Sequence, residues 1–457
     1  MRKALLKRWL DQVPFWDATV GILSAAALRT YVVGGSVRDA LLERPGHDVD
    51  IAVAGEAMAL ARRVADALGG AYVPLDAEHD VARVVIFARG DQYHLDFAGL
   101  RAEDIEGDLW ARDYTINAMA VAVDDGLGEF YDPTGGESDL ASGLLRITQD
   151  RAFADDPVRI LRGLRLRGIL GFSLTPETER LARHWLFALA RVSAERIRDE
   201  VLQILDLPCA VPSLRYGAEL GLFRVVLPEL GPYLERALET LAALERSFSG
   251  EEENDDVGHF RPFCNDLRSH WAEKLAGGRS RWTVLKLAAM LSIIPEAEDV
   301  GARVAKGLRL STKEVHFVGN VIRGSLCGDV WKPRGRVDAL TAHRFFRELG
   351  AAGVDAAVTA AAGRLAADGV HARDLSLEET IARGRGLLDA WFKRRAEIVE
   401  PQPLLSGHDV IRILDVDPGP IVGRALRRLT EAQVEGRVET KAEGVAYLRQ
   451  VFGAESA

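Results

Sequence analysis

The sequence predicts an α+β fold, in which a head that mixes strands and helices is followed by a long helical region. Short apolar runs with strand-like alternation lie almost entirely within the first third of the 457 residues. Beyond them, Ala- and Leu-rich segments repeat apolar residues every three or four positions, as helices do. With 48% hydrophobic residues, the chain has enough apolar material for the cores of several domains.

Charge and cysteine usage restrict the class of protein. The formal net charge of -10 argues against indiscriminate binding to nucleic acid, although a local basic surface stays possible. The three cysteines, Cys209, Cys264 and Cys327, are far apart and lack the spacing of a zinc site or a disulfide framework. Residues 1–10 carry too many charges for a signal peptide, and no apolar run could span a bilayer. We therefore expect a cytoplasmic protein with no membrane partner.

The chain is organised around a strand–helix–strand unit near its start. An apolar run leads into a turn at Gly34 and Gly35, and Ser36 is a good N-cap for a helix over Val37–Glu43. A second strand is predicted over Asp48–Val53, where apolar and polar residues alternate. A glycine turn at a helix N-terminus presents free backbone N–H groups, which can bind phosphate. The first half of the unit is therefore a candidate phosphate site.

Two carboxylates follow on the second strand of this unit. Asp48 and Asp50 are two residues apart, so their side chains project from the same face of the strand. Carboxylates that close repel each other unless a cation lies between them, and Mg²⁺ prefers oxygen ligands. Asp96, on the predicted strand Tyr93–Ala98, is either an edge-strand charge or a third carboxylate reaching the same site. A phosphate site beside carboxylates that can hold a metal indicates phosphoryl or nucleotidyl transfer.

A second polar segment follows the β-rich part of the head. Arg112, Asp113, Thr115 and Asn117 are crowded into a stretch that turns apolar and is predicted to become helical. Such crowding can also reflect ordinary helix capping. A G-x-G-x-x-G dinucleotide site is excluded in the first unit, because the third glycine is missing and no βαβ repeat follows.

Further along the chain, one carboxylate–guanidinium pair could select a nucleobase. Asp156 and Arg159 are three residues apart in a predicted helix over 155–170, so they share one helix face. A carboxylate accepts from an exocyclic amino group and a guanidinium donates to a ring acceptor, a pattern that fits C and A. U and G present the reverse pattern and would leave both groups unmatched. Arg162, one turn on, could complete the contact or bind phosphate; the alternative for the pair is a simple intrahelical ion pair.

Taken together, these segments resemble the bacterial class II tRNA nucleotidyltransferases, the CCA-adding enzymes, and their poly(A) polymerase relatives in the polymerase-beta superfamily. The resemblance implies that Gly34, Gly35, Ser36 and Arg38, with Asp48 and Asp50, form the motif that holds the triphosphate and two metal ions. It also implies that Arg112, Asp113 and Asn117 contribute to ribose recognition. The segment 132–139 with Arg146 resembles a motif that couples head and neck, and residues 155–159 lie where the base-selecting motif belongs.

The resemblance implies a fold and an activity. The fold would be a polymerase-beta-like head with a mixed five-stranded sheet over residues 1–150, a helical neck over 151–222, a body over 223–397 and a tRNA-binding tail over 398–457. The activity would be template-independent addition of C and A, as CCA or part of it, to the tRNA 3′ end from CTP and ATP. Mg²⁺ would be held by Asp48 and Asp50, assisted by Asp96, and the body and tail would grip the tRNA acceptor arm.

Some residues depart from the family pattern and leave alternatives open. Ala111 precedes Arg112 where a second arginine is usual, and Asp155 and Asp96 stand where glutamates are common. The segment 101–109 is short, whereas many CCA-adding relatives have here a longer flexible loop needed to switch from C to A; some full CCA-adding enzymes are also short here. CC-adding, A-adding and poly(A)-synthesising enzymes thus stay open, as does a non-catalytic RNA-binding relative. Ser292 and Ile293 stand where a phosphohydrolase His-Asp pair would lie, so we expect no phosphohydrolase activity.

Overall fold

The computed structural model describes residues 2–124, 126–247, 255–332, 337–367 and 376–452. The main sheet has seven strands: β1 (Thr30–Val33), β2 (Asp48–Val53), β3 (Ala71–Asp76), β4 (Val81–Ala88), β5 (Asp91–Gly99), β6 (Ala120–Asp124) and β7 (Gly126–Tyr131). Their order in the sheet is β3-β4-β5-β2-β1-β6-β7. The strands β2 and β5 run parallel and the other neighbouring strands run antiparallel. The predicted α+β class and the mixed sheet are therefore confirmed.

The sheet has seven strands where five were expected. The additional strands β6 and β7 follow the polar segment around Asn117, for which the sequence predicted a helix. The structure contains there only a single 3₁₀ turn, Thr115–Asn117, before β6 begins. The small apolar residues of β6 suit a helix or a strand equally well, and pairing with β1 decides in favour of the strand.

The chain forms two compact units, of which the first comprises Met1–Val192 and Tyr216–Val225. Its helices before residue 192 are α1 (Arg2–Leu10), α2 (Trp16–Ala25), α3 (Gly35–Leu41), α4 (Ala57–Leu68), α5 (Ile105–Trp110), α6 (Gly136–Ser142), α7 (Ala152–Asp155), α8 (Arg159–Leu170) and α9 (Pro176–Trp185). A two-residue parallel pair, β8 (Leu144–Leu145) and β9 (Ser173–Leu174), adds a second small sheet. The helix α4 buries one apolar stripe and packs on β4 and β5, so the core of this unit lies along the main sheet.

The second unit, Ser193–Arg215 with Val226–Ala457, contains helices and no strand of the two sheets among its described residues. Its helices, with α11 shared between the units, are α10 (Ala194–Leu205), α11 (Val211–Leu220), α12 (Leu234–Arg246), α13 (Cys264–Ala272), α14 (Arg281–Leu291), α15 (Ala297–Gly307), α16 (Thr312–Ser325), α17 (Ala339–Leu349), α18 (Ala352–Leu365), α19 (Leu377–Phe392), α20 (Gly407–Leu414), α21 (Pro420–Val434) and α22 (Lys441–Phe452). None of the helices in the described part of the chain is both long and apolar enough to cross a bilayer.

The core of the second unit is built around α14, in which ten of the eleven residues are buried. A helix that is apolar on nearly every side must be surrounded, and α12, α16 and α18 pack against it. The one lysine of α14, Lys286, is fully buried and paired with Glu245 at 2.8 Å. Its Nζ also donates to the carbonyl of Leu207 at 2.6 Å, so the buried charge is satisfied on two sides.

Candidate active site

The glycine turn joins β1 to α3 and brings the helix N-terminus beside β2. Gly34, with φ of +68°, is the residue at the N-cap of α3. The prediction that Ser36 is the N-cap was therefore wrong: Ser36 lies inside the first turn of the helix. Its Oγ instead accepts from the backbone N–H of Asp50 at 2.7 Å and donates to the carbonyl of Asp48 at 3.2 Å. The serine thus fixes the helix against the strand that carries both carboxylates.

Gly34 is needed for close approach, and Gly35 lies beside the same Asp50 carboxylate. A Cβ at Gly34 would lie 3.0 Å from Nη1 of Arg112 and 3.4 Å from Oδ2 of Asp50. A Cβ at Gly35 would lie 3.4 Å from Nη2 of Arg38 and 3.4 Å from the same Asp50 oxygen. The bare turn therefore lies beside two guanidinium groups and one carboxylate. Positive side chains and a helix N-terminus together suit a phosphate chain.

The three predicted carboxylates lie on neighbouring parallel strands. Asp50 is directly opposite Asp96 in the register of β2 and β5, so the two project from the same face. Asp48 is opposite His94, whose Nδ1 lies 2.7 Å from its Oδ1. Asp96 accepts from Nε and Nη2 of Arg83, both at 2.7 Å. The three carboxylates thus lie on two neighbouring strands in the interior of the sheet, each in a different environment.

Asp50 is the carboxylate with the strongest need for a positive partner. Burial raises the pKa of the Asp50 carboxyl to about 6, and the nearby Arg112 offsets this only in part. The neighbouring Asp96 adds to the rise, because a second negative charge disfavours ionisation. A cation bound at this position would remove the penalty.

The donor set here fits a magnesium ion. Among the residues that the structure describes, no three His, Cys, Asp or Glu side chains are grouped closely enough to hold a metal by themselves. Mg²⁺ does not require such a group, since it typically uses one or two carboxylates together with water and substrate phosphates. Asp48, whose side chain is about 65% exposed, and the half-buried Asp50 provide those carboxylates.

A chain of hydrogen bonds connects the glycine turn to the helix α8. Arg38 donates from Nη1 to Oδ1 of Asn117 at 2.6 Å, and the amide of Asn117 donates to Oδ1 of Asp113 at 3.3 Å. Asp113 in turn accepts from Nη1 of Arg162 at 2.9 Å. Four of the predicted site residues therefore form one continuous network, although they are spread over 125 positions of the sequence.

Arg112 is held by a residue that the sequence did not identify. Asp108, which is 1% exposed, accepts from Nε of Arg112 at 2.9 Å and from the backbone N–H of Arg101 at 3.0 Å. Asp104 accepts from the backbone N–H of Gly107 at 2.8 Å and so caps α5. The segment between β5 and α5 is thus short and fastened at both ends.

The pair proposed to read a base does not lie on one helix. Asp156 is extended, with φ of −148° and ψ of 94°, and α8 begins only at Arg159. The prediction of a shared helix face was therefore wrong, because Pro157 disfavours helical backbone at the residue before it. Arg159 and Asp156 approach only to 3.9 Å. Instead, Arg159 donates from Nη2 to the carbonyl of Ala111 at 2.9 Å.

A third group of residues holds the 3₁₀ turn Thr115–Asn117 in place. Asp139, which is 6% exposed, accepts from Oγ1 of Thr115 at 2.8 Å and from Nε of Arg146 at 3.0 Å. A Cβ at Gly136 would lie 2.1 Å from the carbonyl oxygen of Thr115, so only glycine fits there. These contacts hold the turn that carries Asn117.

Sequence reasoning missed Arg83, His94 and Asp108. Arg83 and His94 act across strand pairs, so their positions follow only from the register of β4, β5 and β2. Asp108 lies four residues before Arg112, a helical spacing that could have indicated an ion pair. The thirteen residues that the sequence singled out all lie in the first unit.

Two segments of the chain match models of known protein families. The profile described as "Poly A polymerase head domain" matches residues 30–146, and that described as "Probable RNA and SrmB- binding site of polymerase A" matches residues 171–234. The first match covers the sheet, the glycine turn and the carboxylates.

Complete relatives are similar over almost their whole length. The CC-adding tRNA nucleotidyltransferase of Geobacter sulfurreducens is 33% identical over 92% of this chain and 91% of its own. The A-adding tRNA nucleotidyltransferase of Deinococcus radiodurans is 31% identical over 92% of this chain and 94% of its own. A solved structure described as the complex of CCA-adding enzyme with ATP superposes with a TM-score of 0.68 at 23% identity, covering 96% of this chain and 94% of the other. At 23% identity the superposition shows that the two proteins share a fold.

Proposed function

Because this chain belongs to the tRNA nucleotidyltransferase family, the resemblance seen in the sequence is confirmed, and we propose that the chain is the CC-adding member of the family. The substrates are CTP and a tRNA that lacks its terminal CCA, and the product is a tRNA ending in CC. Identity alone does not decide the product, since a CC-adding relative and an A-adding relative are 33% and 31% identical to the chain. The proposal therefore depends on a structural feature.

That feature is the fastened segment between β5 and α5. Five residues, 100–104, connect the two elements. Asp104 caps the helix, Asp108 holds the backbone of Arg101, and a Cβ at Gly107 would lie 2.7 Å from Cβ of Ala102. Many full CCA-adding enzymes carry at this place the longer loop that switches the enzyme to ATP. A segment this short and this closely packed supports C addition without that switch.

In the proposed mechanism, the α-phosphate of CTP lies near Asp48 and Asp50, and Arg38 and Arg112 bind the triphosphate beside the glycine turn. The tRNA 3′ oxygen attacks the α-phosphorus in line, the new O–P bond forms, and the bond to the β-phosphate breaks to release pyrophosphate. Asp48 and Asp50 would hold Mg²⁺, which when bound favours ionisation of the 3′ hydroxyl and neutralises charge on the leaving group. Asp96, held by Arg83, contributes negative charge to the same site. Most of the acceleration comes from positioning and electrostatics.

Base choice is assigned to Asp156 and Arg159. Arg159 is fixed by backbone carbonyls, so its guanidinium has a defined direction before CTP arrives. The carboxylate of Asp156, 3.9 Å from Nε of Arg159, is assigned to accept from the N4 amino group of cytosine. Network contacts through Asp113 and Asn117 hold Arg162 and Arg38 for the ribose and phosphates.

The remaining helices are proposed to hold the RNA. We assign residues 1–150 to the head, 151–222 to the neck, 223–397 to the body and 398–457 to a tail that grips the tRNA acceptor arm. Helical RNA is bound mainly through its shape and backbone, so this binding should weaken as salt rises. We place the activity in the cytoplasm, as the cysteine usage predicts.

One assay tests the proposal. Labelled CTP or ATP is offered with tRNA transcripts that end before CCA, after the first C, or after CC, and with an unrelated oligonucleotide. We expect CMP to be added to the first two transcripts and AMP to none of them. Addition of AMP to the transcript ending in CC would overturn CC-adding specificity in favour of CCA or A addition. Extension of the oligonucleotide with AMP would indicate poly(A) synthesis, and no incorporation at all would indicate a non-catalytic relative.

A further inference from the structure

The helical unit contains a cavity of about 490 Å³ that is separate from the residues of the candidate active site. We call it the body cavity and define it by Arg236 of α12, Ser292 after α14, Ser325 of α16, Trp331 and Arg364 of α18. Its size lies within the range of small-ligand sites. Two arginines line it, and its described lining contains no Asp or Glu.

The two arginines are available to a ligand. Arg364 lies in the last turn of α18, and its Nε is buried without a hydrogen-bond partner. Because Arg364 also lines the cavity, its guanidinium would contribute a positive charge to an anion bound there. Arg236 also lines the cavity and is exposed. Two guanidinium groups in one lining suit the oxygens of a phosphate group, with which arginine forms paired hydrogen bonds.

The helix ends around the cavity carry too little negative charge to oppose the binding of a phosphate. The C-terminal ends of α14 and α16 contribute Ser292 and Ser325, and each end carries a partial negative charge of at most about 0.5. Two full guanidinium charges exceed these partial charges. Carbonyls in the last turn of a helix also lack intrahelical partners, so they can accept from hydroxyl or amino groups of a ligand.

The other lining groups favour an organic phosphate over a bare anion. The hydroxyls of Ser292, Ser325 and Thr359 donate to carbonyls of their own helices at 2.8, 2.9 and 2.8 Å, which leaves their oxygens as acceptors. The indole N–H of Trp331 donates to the carbonyl of Gly324 at 2.8 Å, so its ring is oriented in the wall. A ligand with a phosphate, hydrogen-bond donors and a flat apolar part would match all of these.

We propose that the body cavity is a binding site for a small phosphate-bearing ligand, of nucleoside monophosphate size or smaller. The described lining contains no carboxylate, imidazole or thiol, so the site is assigned to binding. The inference does not depend on which nucleotide the head adds.

Hydrogen–deuterium exchange on the full chain tests this, because it reports on the body separately from nucleotide bound to the head. The probes are inorganic phosphate, AMP, CMP and adenosine, each at millimolar concentration. We expect AMP and CMP to slow exchange in peptides covering 289–296 and 357–367, with phosphate giving a smaller effect and adenosine none. Equal protection by adenosine, or protection by tRNA but by none of the small probes, would overturn the proposal.

Matched variants identify the groups responsible. Arg364→Gln should weaken the protection by AMP about ten-fold or more, the loss expected for one charge-assisted contact. Arg303→Gln, which removes an exposed arginine of α15 outside the cavity, should leave it unchanged. CMP addition should be retained in both, which shows that they fold. Should Arg364→Gln fail to fold, Arg236→Gln, a change of the exposed lining arginine, must weaken protection; wild-type protection in that variant would contradict the proposal.

Discussion

Arg162 donates to the carboxylate of Asp113 at 2.9 Å and thereby joins α8 to the segment that carries Arg112 and Asn117. Burial by itself would raise the pKa of the Asp113 carboxyl, but Arg162 and the N–H of Tyr114 lower it to about 2. Asp113 is therefore ionised in the folded protein at any pH near neutrality. The pair connects the residues proposed to bind the ribose with the helix proposed to select the base.

Asp113→Asn should destabilise the protein at pH 7 by about 1–3 kcal/mol, since a buried charged hydrogen bond is lost. The effect should depend on pH with a definite sign. A lowered carboxyl pKa stabilises the folded state above the unfolded value near 3.8, and this contribution disappears as the pH falls toward 2. Unfolding by denaturant between pH 7 and pH 3 measures it. Asp155→Asn breaks an exposed pair with Arg151 and should cost less than about 0.5 kcal/mol; equal losses in both variants would contradict the assignment.

Gly163 lies against the side chain of Tyr114, and a Cβ there would lie 2.1 Å from the tyrosine hydroxyl oxygen. That hydroxyl donates to the carbonyl of Arg159 at 2.9 Å. Gly163→Ala should therefore displace Tyr114, destabilise the protein by about 1–3 kcal/mol and lower CMP addition. Gly21→Ala in α2 meets nothing within 4 Å and should instead be neutral or stabilising by up to about 1 kcal/mol.

Thermal unfolding with an activity assay measures both glycine variants. Because the clash involves the hydroxyl, Tyr114→Phe combined with Gly163→Ala should recover part of the stability lost. Failure of the phenylalanine to restore any of it would show that the close approach does not decide the effect.

Asp50→Asn should abolish CMP addition and at the same time stabilise the protein in the absence of metal. Burial raises the pKa of Asp50 to about 6, so ionisation at pH 7 costs roughly 2–3 kcal/mol of stability. The pH dependence is opposite to that of Asp113, because the pKa of Asp50 is raised. The stability of the wild type should fall as the pH rises from about 4 to 6, and the variant should not show that fall. Magnesium chloride should raise the unfolding temperature of the wild type and leave that of the variant unchanged.

Asp66→Asn in the exposed part of α4 is the matched control for Asp50, and should change neither stability nor the response to magnesium. Near-normal activity of Asp50→Asn would remove the carboxylate site from the mechanism. An equal response to magnesium in all three proteins would place the ion elsewhere.

Arg159→Ala should mainly reduce the preference for CTP over UTP. The guanidinium is fixed by the carbonyls of Ala111 and Arg112, so its loss removes a pre-oriented donor to the base. We expect kcat/KM for CTP to fall about ten- to hundred-fold while that for UTP changes less. Asp156→Ala should act in the same direction, because its carboxylate is the proposed acceptor for the N4 amino group of cytosine. If these variants lose stability but still prefer CTP over UTP as the wild type does, the pair Asp156 and Arg159 has only a structural role.

Local residue patterns were sufficient for part of the site. The strand β2 covers the predicted residues Asp48–Val53, and a two-residue repeat is a property of any strand, so Asp48 and Asp50 could be placed on one face beforehand. The glycine turn before α3 was equally visible. The role of Ser36 was not, because its contacts with the backbone of β2 join residues fourteen positions apart.

The sequence by itself predicted the residues assigned to the chemistry, and it determined the α+β class through short-range periodicity and the family through its resemblance to ordered motifs. Only the tertiary structure decided that Asp96 lies level with Asp50, that β6 is a strand, that Arg159 binds carbonyls and that two arginines line a cavity in the helical unit. Strand register and side-chain partners between distant segments depend on the packing of the whole chain, and no local pattern specifies them.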